Sequence, residues 1–230
     1  MTALRRWRAP CKTQGCRGTV RSSFARLCFR CSARSRRHGD ATLRKGITKR
    51  ELEPFKREVL GLVLGSENRE SIEQVLRDLH AHTRETLRAN LGGTVWQRRG
   101  LAAALRVLND PEVPALDVGA TIAGVFLMRQ REPKRFPSDR AFTFQLCRHF
   151  RKLSDVSYGR YWDTRSGSSQ RMYKELRPQA VEVLGEVLVM AYARFAAQVL
   201  MSARHGKSAA EIRAQVDAAF ATPEGSTPSP

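Results

Sequence analysis

From about residue 47 onward, apolar side chains recur every three or four residues, which is the spacing that places them on one face of a helix. The clearest run is a helix predicted to begin at Ser66 and to stop at Gly92-Gly93. Its apolar face comprises Ile72, Val75, Leu76, Leu79, Thr83 and Leu87. A helix with such a face needs an apolar partner, so the pattern predicts a bundle of helices.

The same spacing predicts three further helices in this body. One covers residues 95–108 and is stopped by Asn109-Asp110-Pro111. The apolar run 116–128 favours a buried helix, with a strand as the alternative. Ser138 is expected to cap the next helix. The core face of that helix would carry Phe142, Leu146, Phe150 and Leu153.

Capping signals mark two more helix starts. Thr48 with Glu51 predicts a capping box, although Pro54 favours a helix that begins properly only at the proline. Ser208 with Glu211 predicts a second capping box, which would open a last helix near the C-terminus.

The segment 177–204 is apolar on nearly every side and predicts the central helix of the bundle. It is the best candidate for a membrane span in the sequence, but it contains polar and charged residues, which are costly in lipid. These residues are Glu182, Glu186, Arg194 and Gln198. A buried helix of a soluble bundle is therefore the prediction, and no membrane partner is expected.

Four cysteines near the N-terminus add a metal site to this picture. Cys11 and Cys16 are separated by four residues, and Cys28 and Cys31 by two, a spacing typical of two turns that face each other across a metal ion. Four thiolates would complete the shell of one structural Zn²⁺, which a segment too short to bury its own core needs for folding. The residues after Cys28 are compatible with a helix stopped at Gly39, so a treble-clef-like module is predicted. Disulfides are the alternative, and the lack of a secretory signal in MTALRRWR argues against them.

The predicted fold class is therefore mainly α, with a small four-cysteine zinc module followed by an α-helical bundle. A basic arm and the module are expected over 1–46, with 40–46 as a linker, and the bundle over 47–221. The bundle includes a basic, aromatic loop at 154–171, and 222–230 is expected to be a disordered tail. No strand-like alternation is found outside the module.

The formal charge of +19 is concentrated in two blocks. Residues 1–50 hold 15 Lys and Arg against one acid, and residues 129–171 hold 11 against four. Residues 51–128 carry a net charge of −2, and residues 172–230 are neutral. Concentrated positive charge favours a polyanion as partner, and two blocks predict two separate contacts.

In the first block, Arg30, Arg34 and Arg37 follow one another at i, i+4 and i+7, so they line one face of a helix. Such a face can lie against a phosphate backbone or enter a major groove. No acid lies between Arg5 and His38, although a merely solvated surface usually carries some. The candidate nucleic-acid contacts of this block are Arg17, Arg21, Arg26, Arg30, Arg34, Arg36, Arg37, His38 and Lys45.

The second block interleaves aromatic and basic residues within a stretch rich in Gly and Ser. This composition suits base stacking beside phosphate neutralisation. The alternative is an aromatic cluster that anchors the loop to the bundle. The candidate contacts are Lys134, Arg135, Arg148, Arg151, Lys152, Tyr158, Arg160, Tyr161, Trp162, Arg165 and Arg171.

No catalytic pattern is found: the sequence has no Ser-His-Asp order, Walker loop or His-Glu-x-x-His. His80 and His82 are two residues apart and so face different sides of a helix. His149 is expected at the surface, and Cys147 is expected to fill the core. We therefore expect a protein that is not an enzyme, has no small-molecule substrate and is cytoplasmic and nucleoid-associated.

The string GC…LCFRC…RSRRHGD resembles the N-terminal zinc modules of phage and plasmid DNA-binding proteins, including some relatives of HNH endonucleases. The histidine and asparagine cluster with which HNH nucleases hold a catalytic metal is missing from this sequence. The layout of a four-cysteine module on a small, basic, helical body also resembles the large subunit of type IV CRISPR effector complexes. That resemblance implies contacts with target duplex and with guide RNA.

The sequence thus predicts a zinc-dependent nucleic-acid-binding protein, favoured as the DNA-contacting subunit of a larger nucleoprotein complex of a mobile element, with RNA as a further ligand. The alternatives are a stand-alone phage or plasmid DNA-binding regulator or replication accessory, a nuclease related to zinc-module HNH proteins, and a translation-linked RNA binder. A subunit would copurify with RNA and other chains, whereas a regulator would behave as a dimer on a defined operator.

Overall fold

The computed structural model describes residues 9–20, 22, 24–64 and 69–205, with side chains as far as residue 201. The helices in this part of the chain are α1 (Phe29–His38), α2 (Lys49–Leu64), α3 (Arg69–Ala89), α4 (Val95–Leu108), α5 (Ala115–Arg131), α6 (Asp139–Arg151) and α7 (Pro178–His205). Strands β1 (Tyr158–Asp163) and β2 (Ser168–Tyr173) form a hairpin, and short 3₁₀ turns lie at Pro133–Arg135 and Asp155–Ser157. The predicted mainly helical class is confirmed. The start proposed at Ser66, the last helix and the tail lie outside the described residues.

The core is centred on α5, which is apolar on nearly all sides and packs against α2, α3, α6 and α7. Ile122, Leu127 and Met128 of α5 are almost completely buried. Gly124 allows α2 to approach closely, because a Cβ at this position would lie 3.2 Å from the backbone nitrogen of Lys56. The run 116–128 is therefore a buried helix, and the alternative of a strand is excluded.

Helix α7 is long and apolar enough to cross a membrane by length and composition, over Pro178–Met201. It packs along α4, α5 and α6, and Leu184, Leu188 and Phe195 are buried in the core that these helices share. The segment 177–204 is therefore a helix of the bundle, as predicted, but α5 rather than α7 lies at the centre of the core.

Local signals place several helix starts as predicted. The Thr48 backbone N–H donates to Oε2 of Glu51 (2.7 Å), and the Glu51 N–H donates to Oγ1 of Thr48 (3.2 Å), which completes a capping box. Helix α2 therefore begins at Lys49, and Pro54 lies inside it rather than at its start. The Ser138 hydroxyl caps α6 by accepting a backbone N–H bond.

The loop predicted at 154–171 is largely a β-hairpin, and the expectation that no strand lies outside the module is wrong. Its antiparallel register runs from the pair of Tyr158 and Tyr173 to the tip. There the Gly167 N–H donates to the Asp163 carbonyl oxygen (2.9 Å), and Gly167 has a φ of +62°, which favours glycine. Both strands are polar and mostly exposed, so the apolar alternation that marks a half-buried strand is weak here.

The cysteine module is joined to the body through α1 and α6. Gly39 ends α1 with a φ of +80°, and a Cβ there would lie 2.6 Å from the carbonyl oxygen of Arg140. The Ile47 N–H donates to the side-chain oxygen of Gln145 (3.0 Å). The segment 40–46, which was expected to be a linker, is therefore bounded at both ends by contacts with α6.

Candidate metal centre and nucleic-acid interface

Four thiols come together in the N-terminal module. The Sγ atoms of Cys11, Cys16, Cys28 and Cys31 all lie within 4.8 Å of one another. Sγ of Cys16 is 3.7 Å from that of Cys28 and 3.5 Å from that of Cys31. A tetrahedral ion with metal–sulfur bonds of ~2.3 Å would place its sulfurs roughly 3.8 Å apart. The thiols are thus spaced to hold one metal ion, at the residues that the sequence indicated.

Backbone turns aim these thiols inward. The Cys11 N–H donates to the Gly18 carbonyl oxygen (2.9 Å), and the Gly18 N–H donates to Sγ of Cys16 (3.3 Å). The Cys28 N–H donates to Sγ of Cys11 (3.3 Å). Such bonds stabilise negative charge on sulfur. A Cβ at Gly18 would lie 2.9 Å from Sγ of Cys28, so glycine is the residue that fits beside the cluster.

The second cysteine pair is set by the start of α1. Cys28 precedes the helix and Cys31 lies in its first turn, where the positive end of the helix dipole favours a thiolate. An isolated β-bridge between Pro10 and Thr19 brackets the first pair. The module thus contains one cysteine turn enclosed by a short antiparallel contact and a second cysteine turn that leads into α1.

Thiols this close together cannot all ionise without a cation. Burial opposes ionisation of Cys11, but hydrogen bonds with Thr13 and with the backbone of Cys28 outweigh it and lower the pKa of Cys11 to about 6. For Cys31, contact with Thr13 favours ionisation, but burial and the neighbouring thiols prevail and raise the pKa to about 12. A bound dication would supply the missing charge, so metal binding at this site should release protons.

The module presents basic side chains to solvent around this cluster. Among the candidate contacts of this block, the exposed ones are Arg17, Arg26, Arg30, Arg36, Arg37 and Lys45. Arg34 is half-buried, and Arg21 lies outside the described residues. Because α1 covers all three positions, Arg30, Arg34 and Arg37 share one helix face, as the spacing predicted.

Phe24 is an exposed residue that the sequence analysis missed. Its side chain is 95% exposed, and Phe29 at the start of α1 is 67% exposed. Isolated apolar residues in a basic segment carry no periodic signal, so only exposure in the folded module identifies these two.

The two basic blocks meet in the folded chain. Nε of Arg37, in the first block, lies 3.2 Å from a carboxylate oxygen of Glu175, just beyond the hairpin. Burial, and then the charges of Arg148, Arg37 and Arg34, lower the pKa of His38, which places arginines of both blocks around one ring. The two blocks also line one small cavity, through Arg36, Arg37, Arg148, Arg151 and Tyr173. The two basic blocks therefore adjoin in the folded chain, and the prediction of two separate polyanion contacts stays a prediction.

Two of the candidate nucleic-acid contacts are largely buried. His38 is buried, and a Cβ at Gly46 would lie 3.1 Å from its Nδ1. Arg151 is also buried, and its Nη1 donates to the Tyr173 hydroxyl (3.0 Å). Both side chains fill the junction between α1, α6 and the hairpin. Direct contact of these two residues with nucleic acid stays a prediction, and Arg151 faces solvent only where it lines cavities.

The residues near Pro133–Arg135 adjoin the end of the module, since the Ser138 hydroxyl donates to the carboxylate of Asp40 (3.1 Å). Lys134 is exposed. Arg135 donates to Glu51 (2.6 Å), and this bond holds the pKa of Glu51 at about 2. Arg135 is thus engaged with α2, while Lys134 is open to a ligand.

Tyr173 anchors the hairpin to α6. Three basic groups lie over its ring, with Arg151, Arg148 and Lys152 at 5.0, 5.7 and 5.9 Å from the centroid. Tyr158 meets it edge-to-face with centroids 5.7 Å apart. The contacts of these residues therefore fit the alternative in which an aromatic cluster anchors the loop to the bundle.

The tip of the hairpin is different. Trp162 is 61% exposed and Tyr161 is 49% exposed, and Arg160 and Arg165 beside them are also exposed. Alternation places Trp162 and Arg160 on one face with Arg171 of β2, which stacks on Tyr158 at 3.9 Å. Exposed rings and cations thus share the tip, while the base of the hairpin is tied down.

Comparisons of the chain with protein-family models, with curated proteins and with solved structures gave no match. The features that bear on function are then the thiol cluster, the adjoining basic blocks and the exposed aromatic side chains of the module and of the hairpin tip.

Proposed function

We propose that this chain is a non-catalytic, zinc-stabilised nucleic-acid-binding protein. The meeting of two basic blocks, remote in sequence, beside the cysteine module is the observation that supports this most. Gathering like charges in one place opposes folding, and the cost is offset when a polyanion binds and its counterions are released.

Zinc is the metal that best suits the cluster. Four thiolates form a soft, tetrahedral donor set, which favours zinc among the common divalent metals. Four protein ligands leave no open position for a substrate, which is the composition of structural rather than catalytic zinc sites. In this proposal the ion folds the module and thereby orients the arginines of α1.

The two basic blocks would contribute to binding through different interactions, phosphate contacts in the first and base stacking in the second. The arginine face of α1 suits the phosphates of a duplex, where each contact releases counterions. The exposed rings of Trp162 and Tyr161 suit stacking on an unpaired base or insertion at a base step. Phe24, in a turn of the module, has the exposure expected of a similar wedge.

We further propose that the protein acts in the cytoplasm as the DNA-contacting subunit of a larger nucleoprotein complex of a mobile element. The resemblance in layout to the large subunit of type IV CRISPR effectors supports this role. So does the combination of an arginine face suited to duplex phosphates with exposed rings suited to base stacking. RNA and other protein chains would then be its natural partners.

The test is binding of the purified, zinc-loaded chain to labelled duplex, single-stranded DNA and RNA by fluorescence anisotropy over a range of salt. We expect affinity for duplex to fall steeply between about 50 and 200 mM salt, by roughly 100-fold if four phosphates are contacted. Removal of the metal should weaken duplex binding. The absence of binding at low salt, or binding that is insensitive to salt, would contradict the proposal.

A further inference from the structure

A groove of about 550 Å³ lies along α4, where this helix faces the 3₁₀ turn Asp155–Ser157 and the segment that leads into α7. Neither basic block includes α4, and the charge of residues 51–128 as a whole is slightly negative. The α4 side of the groove is formed by Arg98, Arg99, Ala102, Ala103 and Arg106.

These α4 residues follow the spacing of one helix face, so alanines form an apolar floor between arginines. Arg98 and Arg106 are exposed on α4, and Arg177 is exposed on the other side of the groove. Within the described part of the chain, no ion pair joins any of these three arginines to an acid. Their positive charge is therefore available to a ligand.

The charge of the groove strongly favours an anion. Five arginines line it, the fifth being the buried Arg151, and the one acid among the lining residues is Glu175. That carboxylate is already paired with Arg37 of the module. Guanidinium groups bind phosphate oxygens in paired hydrogen bonds, which makes phosphate the anion that such walls suit best.

The concave, positively charged form of the site favours a single strand as ligand. Proteins that bind single-stranded nucleic acid hold its backbone in a positively charged groove. The groove here has a volume of about 550 Å³. The apolar floor at Ala102 and Ala103 suits a sugar or a base edge, with phosphates held by the walls.

We propose that this groove binds the sugar–phosphate backbone of a single-stranded nucleic acid. The inference rests on the proposed function for the class of ligand, and it adds a site that is distinct from the α1 face and the hairpin tip. Ser157 lines the groove and is followed directly by β1, so a strand that stacks on the hairpin can continue into the groove. DNA and RNA share the chemistry that the groove recognises.

Two variants test the groove by different means. R98A/R106A removes two exposed cations, and Ala102→Trp fills the floor without changing charge. The control R57A/R77A removes two exposed arginines from α2 and α3, outside the groove lining. Circular dichroism and zinc content report whether each variant is folded, and labelled oligo-dT, oligo-U and a mixed-sequence duplex serve as anisotropy probes.

We expect R98A/R106A to weaken single-strand binding by about tenfold or more and to reduce the log–log salt slope by roughly 1.4, for two phosphate contacts. Ala102→Trp should weaken it to a similar degree, while duplex binding by both variants and all binding by the control stay within about twofold of wild type. A preference for oligo-dT or for oligo-U would support binding of a single strand in the groove and would identify that strand as DNA or as RNA.

Three outcomes overturn the inference, and they are separable from failure of the proposed function. If both folded groove variants bind single strands as the control does, the groove is not the site, and the proposed function stands on the duplex result. If polyglutamate competes as well as an oligonucleotide of equal charge, the groove is a general anion site. If the wild-type chain binds no probe, both the proposed function and the inference are wrong.

Discussion

At the scale of single residues, the thiol cluster could be predicted from sequence because each half of it needs only a turn of backbone. Cys11 and Cys16, and then Cys28 and Cys31, are brought together by contacts that span at most a few residues within each pair. The requirement for glycine at position 18 could not be predicted, because it depends on how closely the two cysteine turns approach one another.

The first prediction concerns metal retention. Cys28→Ser should reduce bound zinc from about one ion per chain to nearly none, because a hydroxyl is a poor replacement for a thiolate ligand. The module should then unfold, while the helical body keeps most of its circular dichroism signal. Cys147→Ser is the matched control, since Cys147 is buried in the body and its thiol donates to the Val181 carbonyl oxygen (3.4 Å). Elemental analysis showing equal zinc in both variants would refute the four-thiolate site.

His149 shows where residue-level expectation failed. It was expected at the surface because histidine is polar, yet it is buried, and burial, assisted by the charge of Lys152, lowers its pKa to about 4. Its spacing from Phe142 and Leu146 already places it on the core face of α6. The apolar periodicity of α6 therefore predicted the burial of His149, whereas the polarity of histidine wrongly indicated the surface.

The second prediction follows from this burial. Unfolded chains protonate histidine near its ordinary pKa of about 6.5, whereas His149 stays neutral in the folded state down to about pH 4. Stability should thus be intact above pH 6.5 and be lost as pH falls toward 4, by about 2 kcal/mol between pH 7 and pH 5. Denaturant unfolding of wild type, His149→Gln and the exposed control His82→Gln measures this. An unchanged pH dependence in His149→Gln would refute the assignment.

At the scale of elements, the helices were predictable because their apolar faces repeat over many residues, and α4 follows its predicted bounds. The hairpin was not, because both faces of its strands mix aromatic, basic and small polar residues without apolar alternation, and its turn is specified by few residues. Asp163 accepts bonds at the tip from the Arg165 backbone and the Ser166 hydroxyl, and Gly167 completes the turn. The signal for a turn that the sequence did contain was this Asp and this Gly, since both residue types favour hairpin turns.

The third prediction separates the tip of the hairpin from its base. Trp162→Ala should leave the free energy of unfolding within about 0.5 kcal/mol of wild type, because the ring is mostly exposed. It should weaken binding to single strands by ~1–3 kcal/mol, with little change in salt dependence. Tyr173→Ala, at the base, should instead destabilise the fold through lost contacts with Tyr158 and Arg151. Normal binding with lost stability in Trp162→Ala would make that ring a core anchor.

At the scale of the whole molecule, the sequence located both basic blocks but not their meeting. That meeting depends on contacts between residues far apart in the chain, such as Arg37 with Glu175 and Ile47 with Gln145. Helix periodicity and charge counts describe segments one at a time, so they cannot specify how α1 lies against α6. The groove along α4 was missed for the same reason, because its five arginines come from three different segments, and the three on α4 belong to a segment that is not basic as a whole.

The central claim is that the two blocks bind one nucleic acid together, and the salt dependence of duplex binding tests it most directly. R30A/R34A in α1 and R160A/R165A in the hairpin should each reduce the log–log slope by roughly two units on the same duplex, and the combined variant by about twice as much. Such additive losses would support a shared ligand on adjoining surfaces. A slope that stays fixed while affinity falls, or a slope that responds to only one block, would contradict the account.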